Sequence, residues 1–250
     1  MKIVAVIQAR MGSTRLPGKI MKEVAGKSVL EYQIEQVRRS KTIDQIVIAT
    51  TTKDTEQPII DLCKRMAVDY YRGPEDDVLS RYYQAACWYG ADIVVRLTSD
   101  CPLLDPAVID RVINVFLSRS ERVDYVSNTI ERTYPRGYDV EVFSMKVLEQ
   151  TFKEAGNAAE REHVTLYLYQ HPEVFRLGQV KHSKDLSSYR LTVDTEEDFE
   201  LMSRLITALC GKRREGFTLD DVITLLQENP DWVLINAHIE QKKADGHRRA

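Results

Sequence analysis

Three cations stand close together near the start of this 250-residue chain: Arg10, Arg15 and Lys19, in the run Ala9-Arg10-Met11-Gly12-Ser13-Thr14-Arg15-Leu16-Pro17-Gly18-Lys19. Gly12 and Gly18 permit backbone angles that other residues avoid. Ser13 and Thr14 add hydroxyls, and successive amides around Gly12 to Thr14 suit an anion-binding nest. Fixed positive charge, glycine and hydroxyls in one short loop ask for a polyanion, with a nucleoside triphosphate as the leading candidate. The loop is neither of two familiar phosphate motifs. A G-x-x-x-x-G-K-[ST] loop needs four residues between its glycines, whereas five separate Gly12 from Gly18 and Ile20 follows Lys19. Gly26-Lys27-Ser28 has the right ending but Met21 in place of the first glycine, and no G-x-G-x-x-G occurs in the loop.

The element that positions this loop is the apolar run Ile3-Val4-Ala5-Val6-Ile7. It is rich in β-branched residues and reads as a strand buried on both faces, as in parallel sheets. Open α/β sheets bind ligands just beyond the carboxyl ends of such strands. Ile46 to Thr50 and Asp92 to Leu97 repeat the pattern, and each ends in a polar loop: Thr50-Thr51-Thr52-Lys53-Asp54 and Thr98-Ser99-Asp100-Cys101-Pro102. Asp100 therefore points toward the same crevice as the first loop. Mg²⁺ prefers one or two carboxylates together with phosphate oxygens and water, so a triphosphate site wants such a group.

The run from Ile7 to Lys19 resembles the signature of the sugar cytidylyltransferases, which activate acylneuraminate and 3-deoxy-manno-octulosonate sugars with CTP. Later segments are similar to the spore coat polysaccharide biosynthesis (SpsF) branch of that family. One departure is Gln8, where many relatives carry Pro. The resemblance implies a three-layer α/β/α, Rossmann-like, mainly parallel sheet with a small mixed arm, in the manner of nucleotide-diphospho-sugar transferases. It implies that residues 128–190 form an acceptor and dimerisation arm; the length of 250 residues suits one domain over 1–250, and the polar, basic, Gly-containing 241–250 reads as a tail. It assigns nucleotide contacts to Ala9, Arg10, Gly12, Ser13, Arg15, Lys19, Thr51, Asp54, Thr98 and Ser99. A segment closing over the nucleotide adds Gly73, Asp77, Val78 and Arg81. Sugar contacts fall on Arg136, Gly137, Asp139, Glu141, Glu162 and His163. Arg10, Lys19 and Asp100 are the expected catalytic groups, and Asp194, in Asp194-Thr195-Glu196-Glu197-Asp198, is the expected second Mg²⁺ carboxylate beside Asp100.

Each assignment has a plainer rival. Asp77 and Thr195 suit helix caps, the latter paired with Asp198 three residues on. Asp139 and Glu141 fit the solvent face of an edge strand, with Arg136 paired locally. His163 at a helix start fits a surface residue. Phe175 to His182 and Ser188 to Val193 read as strands of a smaller sheet. The alternating run Val140 to Phe143 reads as a strand that pairs across a two-fold axis in a homodimer.

Composition narrows the classes. A net charge of -3 gives no overall nucleic-acid footprint, and no apolar run approaches a membrane span. Cys63, Cys87, Cys101 and Cys210 are scattered, as expected of reduced thiols in a cytoplasmic protein without a signal peptide. Nucleotidyl transfer from CTP to a sugar acid is the favoured reading. A glycosyltransferase using a nucleotide-sugar donor and a non-catalytic nucleotide sensor are the alternatives; Lys19 discriminates, because a nucleotide sugar has no γ-phosphate to neutralise.

Overall fold

The computed structural model describes residues 1–119, 121–212 and 216–241. Nine strands are present among them: β1 (Ile3–Gln8), β2 (Glu23–Val24), β3 (Lys27–Ser28), β4 (Gln45–Thr51), β5 (Asp69–Gly73), β6 (Ile93–Thr98), β7 (Tyr125–Ser127), β8 (Glu141–Ser144) and β9 (Leu177–Gln179). The helices are α1 (Val29–Val37), α2 (Gln57–Met66), α3 (Val78–Trp88), α4 (Pro106–Arg119), α5 (Met145–Glu154), α6 (Ala158–Glu162), α7 (Leu166–Gln170), α8 (Glu196–Lys212), α9 (Leu219–Glu228) and α10 (Pro230–Val233).

Seven strands form one sheet in the order β5-β4-β1-β6-β8-β7-β9. The first four run parallel, β8 is antiparallel to both β6 and β7, and β9 is parallel to β7. The sheet is thus mainly parallel. β2 and β3 make a separate small hairpin. Side chains alternate across a strand, and here both faces are apolar. Val4 and Val6 pack with α3, α5 and α7, while Ile3, Ala5 and Ile7 pack with α1, α2, α4, α8 and α9. Ile3 to Ile7 are all buried, each valine or isoleucine contributing roughly 1.5–3 kcal/mol over an exposed one. That double burial makes the three-layer α/β fold.

The strand order positions the site. The chain leaves β1 for β4 and β5 on one side, then returns to β6 on the other. At such a switch point the two loops leaving the carboxyl ends diverge and open a crevice. The loops after β1, β4 and β6 all emerge there.

Local signals hold the helices in place. Ser28 caps α1, its hydroxyl accepting from the Glu31 amide at 3.2 Å. Asp77 caps α3 through the Ser80 amide at 2.8 Å. Thr195 accepts from the Asp198 amide at 3.3 Å, and the Asp198 carboxylate accepts from the Thr195 amide at 3.2 Å, the reciprocal cap its spacing predicts.

Two expectations fail in the middle of the chain. No smaller sheet forms from Phe175 to His182 and Ser188 to Val193. Leu177–Gln179 joins the main sheet instead, and Arg190 makes only an isolated bridge to Arg136. Nor does the Val140 to Phe143 run offer an edge for two-fold pairing. β8 is bonded on both sides, and Val140, Val142 and Phe143 are fully buried. Both failures share a cause: which strands become neighbours is set by the tertiary fold, and periodicity reports no partners. Of the expected tail, 241–250, all but Gln241 lies outside the described residues.

Candidate active site

Ala9 prolongs β1 by one parallel contact, its amide donating to the Ala49 carbonyl at 3.1 Å. Arg10 then turns outward. The following loop closes on a single acceptor: the Met11 carbonyl receives the amides of Ser13 at 3.0 Å and Gly18 at 3.1 Å. Gly18 closes it at φ 66, where a side chain is disfavoured. Buried Leu16 pins the loop to the core, and the Ser13 hydroxyl accepts from the Leu16 amide at 3.3 Å. This geometry sends Lys19 back under the loop, into the crevice.

There Lys19 lies between two carboxylates. Its Nζ donates to Asp100 Oδ2 at 2.6 Å and to Asp194 Oδ1 at 2.7 Å. The two oxygens are therefore at most about 5.3 Å apart, the sum of those contacts. Asp194 Oδ2 meets Arg15 at 3.0 Å and Arg190 at 3.1 Å. Asp100 is held by the Thr98 hydroxyl at 2.7 Å. Burial alone would raise Asp100, but the adjacent Lys19 ammonium and the Thr98 hydroxyl outweigh it, so its carboxyl lies below the usual range. Burial likewise disfavours the Lys19 charge, and Asp100 and Asp194 more than restore it.

Several residues support the site from positions that the sequence does not mark as part of it. Gln33 lies buried on α1 among apolar neighbours; its amide donates to the Thr98 carbonyl while its oxygen accepts from the Cys101 amide at 3.1 Å. It clamps the turn that presents Asp100. Asp198 does the same for Asp194: it takes the Asp194 amide at 3.0 Å and Arg190 at 2.8 and 2.9 Å. Buried Glu56 accepts from the Met11 amide at 2.8 Å and from the hydroxyls of Thr51 at 3.1 Å and Thr50 at 3.4 Å, joining the β1 and β4 loops. Asp198 is visible in the sequence as the capping partner of Thr195, though not as the clamp on Asp194, while Gln33 and Glu56 look like ordinary polar positions.

On the β5 side, Glu75 pairs with Lys53 and, at 3.9 Å, with Arg10. Arg81, almost wholly buried, donates to the Pro74 and Glu75 carbonyls and so shapes the Gly73 to Asp77 turn. Gly73 leaves room for it: a Cβ there would lie 3.1 Å from Arg81 Cγ. Val78 is buried behind the turn, and Arg161 forks onto the Asp77 carboxylate. Thr51 is buried while Asp54 is exposed, and Ser99 is buried beside Asp100.

The residues assigned to the sugar divide into two groups. Arg136 has no side-chain hydrogen bond or ion pair among the described residues, yet it lies near enough to Asp139 and Asp194 to feel both charges; burial and the neighbouring Arg132 lower its pKa. Gly137 brings it there. At φ 102 its backbone passes so close to the Leu191 carbonyl that a Cβ would sit 2.0 Å from the oxygen. Asp139 forks onto Arg132 at 2.5 and 2.8 Å. Glu141, by contrast, is buried in a hub rather than on a solvent face. It pairs with Arg96 and accepts from Tyr125 at 2.5 Å, Thr165 at 2.7 Å and Tyr169. Glu162 is exposed at the end of α6, and His163 follows it as the helix cap, its carbonyl accepting from the Thr165 hydroxyl at 3.4 Å.

The arrangement is a cationic crevice at the switch point, with two carboxylates at its floor. Its chain matches known proteins over nearly its whole length. A cytidylyltransferase family model matches residues 4–238. An uncharacterized protein of Methanocaldococcus jannaschii is 36% identical over 246 residues, covering 97% of each chain. Spore coat polysaccharide biosynthesis protein SpsF of Bacillus subtilis is 33% identical over 236 residues, covering 92% of this chain and 95% of SpsF. A 3-deoxy-manno-octulosonate cytidylyltransferase of Trichlorobacter lovleyi is 32% identical over 197 residues, covering 68% of this chain and 76% of that enzyme. The solved structure of a cytidylyltransferase from Leptospira borgpetersenii serovar Hardjo-bovis superposes with a TM-score of 0.90 at 34% identity, covering 97% of this chain and 100% of that one. This chain belongs to the cytidylyltransferase family.

Proposed function

We propose that the protein transfers the CMP group of CTP to a hydroxyl of a sugar acid, releasing pyrophosphate, and so activates that sugar for surface or spore-coat polysaccharide synthesis. The observation that carries this reading is the meeting of Lys19, Asp100 and Asp194 at the switch point, where Arg15 also reaches Asp194. Family membership supports CTP as donor. Arg136, without an ion pair among the described residues and near enough to Asp194 to feel its charge, supports an acceptor that brings its own carboxylate.

In the reaction the acceptor oxygen attacks the α-phosphorus, the bond to the bridging oxygen of pyrophosphate breaks, and the hydroxyl proton passes to solvent water. Catalysis of this kind rests on alignment and on neutralising the phosphoryl oxygens rather than on covalent chemistry by the protein. Lys19, Arg10 and Arg15 supply positive charge around the phosphates, and the loop amides supply donors. Arg136 would hold the sugar's carboxylate so that its hydroxyl faces phosphorus. Asp100 and Asp194 have the hard oxygen donors and mutual closeness that suit Mg²⁺, and they would hold it against the phosphates. When bound, such an ion withdraws charge from the phosphoryl oxygens.

The test is to incubate the protein with each nucleoside triphosphate, Mg²⁺ and a panel of 2-keto sugar acids, and separately with nucleotide sugars, reading pyrophosphate and the product mass. CMP-sugar formed only with CTP is the expected result. Turnover of a nucleotide sugar with no pyrophosphate from any triphosphate would instead mark a glycosyltransferase.

A further inference from the structure

Every cation in the loop region that would face the triphosphate is already matched with a carboxylate of the same chain. Arg10 and Lys53 meet Glu75, and Arg15 meets Asp194. Lys19 is held by two carboxylates at once, Asp100 and Asp194, with all three side chains at least four-fifths buried. Its ammonium fills the space between the two oxygens that would ligate a divalent cation. Two positive charges cannot share that space, and the Asp194 charge is drawn further by Arg15 and Arg190.

We infer that Lys19 is a placeholder for the divalent cation. The nucleotide-free protein satisfies its two carboxylates with its own ammonium, and metal enters only together with the triphosphate, whose phosphates draw the ammonium away. A lysine is suited to this exchange, because a compact charge on a flexible four-carbon stem moves without the backbone following. The Gly18 turn and buried Leu16 meanwhile keep the loop itself in place. Metal and nucleotide then strengthen each other's binding through one side chain. The inference rests on the reading of Asp100 and Asp194 as metal carboxylates.

The experiment measures Mn²⁺ binding to the full chain by electron paramagnetic resonance, without nucleotide and then with Mn²⁺–CTP. Wild type and Lys19→Met are compared, with Lys19→Gln as a second variant and circular dichroism to confirm folding. Without nucleotide, wild type should bind Mn²⁺ weakly. Lys19→Met or Lys19→Gln should bind it at least tenfold more tightly, and Asp100→Asn in the Lys19→Met background should lose that gain. A merely structural lysine predicts the opposite, since its loss would loosen the site. With CTP, the Mn²⁺–CTP spectrum should broaden on adding wild type. Equally tight Mn²⁺ binding by nucleotide-free wild type and variants would overturn the placeholder and leave the metal site standing. So would weak binding by both folded variants if wild type still takes up Mn²⁺–CTP. No binding by any form, with or without CTP, would overturn both readings together.

Discussion

The Val193 amide donates to the Asp100 carbonyl at 2.9 Å, joining two loops that lie more than ninety residues apart in the chain. The Thr192 hydroxyl adds a second contact to the same oxygen at 3.3 Å. Backbone, not charge, therefore sets how far the Asp100 turn lies from the segment carrying Asp194. Side-chain substitutions in the site should change its electrostatics while leaving this spacing intact.

That spacing gives the first prediction. Asp100→Asn keeps the shape of the side chain and removes its charge, so nucleotidyl transfer should fall by about 100-fold or more, the scale of losing one preorganised electrostatic contact. Two carboxylates facing each other across an empty site would repel, and removing one charge would then stabilise the fold. Lys19 between them reverses the sign. Asp100→Asn leaves a largely buried ammonium with one anionic partner fewer, and should lower stability by about 1–2 kcal/mol. Urea unfolding with an unchanged or higher midpoint would contradict this.

The second prediction separates two cations of the loop. Lys19→Ala should cost turnover about 3–4 kcal/mol in transition-state free energy and also weaken the fold, since it leaves buried Asp100 without the cation it pairs with. Arg10 is half exposed and meets Glu75 only at 3.9 Å. Such a pair is worth about 0–1 kcal/mol, so Arg10→Ala should leave the melting temperature almost unmoved while raising KM for CTP. Steady-state kinetics beside a thermal melt decides it; equal stability losses in the two variants would count against the assignment.

These residues also show what could be read without a structure. The doubly buried β1, the glycine loop after it and the aspartates closing β6 and preceding α8 are local patterns, and local patterns are legible: cap spacing, β-branched runs and cations near glycine. The pairing of those cations with carboxylates from distant loops was not legible, because it depends on which strands are neighbours. Glu141 shows the same limit. Its alternation with apolar residues reads as a solvent-facing edge, yet β6 and β7 flank its strand and Arg96, Tyr125, Thr165 and Tyr169 converge on its carboxylate. Periodicity distinguishes two faces of a strand but does not say that a charged face is covered.

The third prediction concerns Gly137. Alanine there must adopt φ near 102 and place a Cβ about 2.0 Å from the Leu191 carbonyl oxygen, a backbone atom that cannot swing aside. Gly137→Ala should destabilise the fold by roughly 3 kcal/mol or more, combining backbone strain with overpacking. It should also displace Arg136, so any folded fraction should show a raised KM for the sugar acid with little change for CTP. A loss of CTP affinity alone would disprove the link between this turn and the acceptor.

The last prediction is about acid. Burial pushes the Glu141 carboxyl up, but the Arg96 guanidinium and the Tyr125, Tyr169 and Thr165 hydroxyls together bring it below the ordinary range. A carboxyl whose folded pKa is depressed binds protons more readily when unfolded, so its contribution is complete above the unfolded value, about 4.3 for Glu. It is then lost as pH falls through the lower folded value. Asp100 acts in the same direction below its unfolded value of about 3.9. Stability should therefore hold through neutral pH and decline below about pH 4.5. Glu141→Gln removes the titrating group and leaves Arg96 buried without its anion, which should cost about 3–5 kcal/mol at pH 7. Because the variant has no Glu141 left to protonate, its stability should fall less steeply than wild type between about pH 4.5 and pH 3. Replacing Arg96 by Met as well should recover part of the loss, since removing both partners strands neither charge. Urea denaturation of wild type, the single variants and the double variant at pH 7, 5, 4 and 3 gives the whole cycle. Parallel acid slopes in wild type and Glu141→Gln would show that the hub carboxylate is not what acid titrates, and an additive double variant would show that Arg96 and Glu141 do not act as a pair.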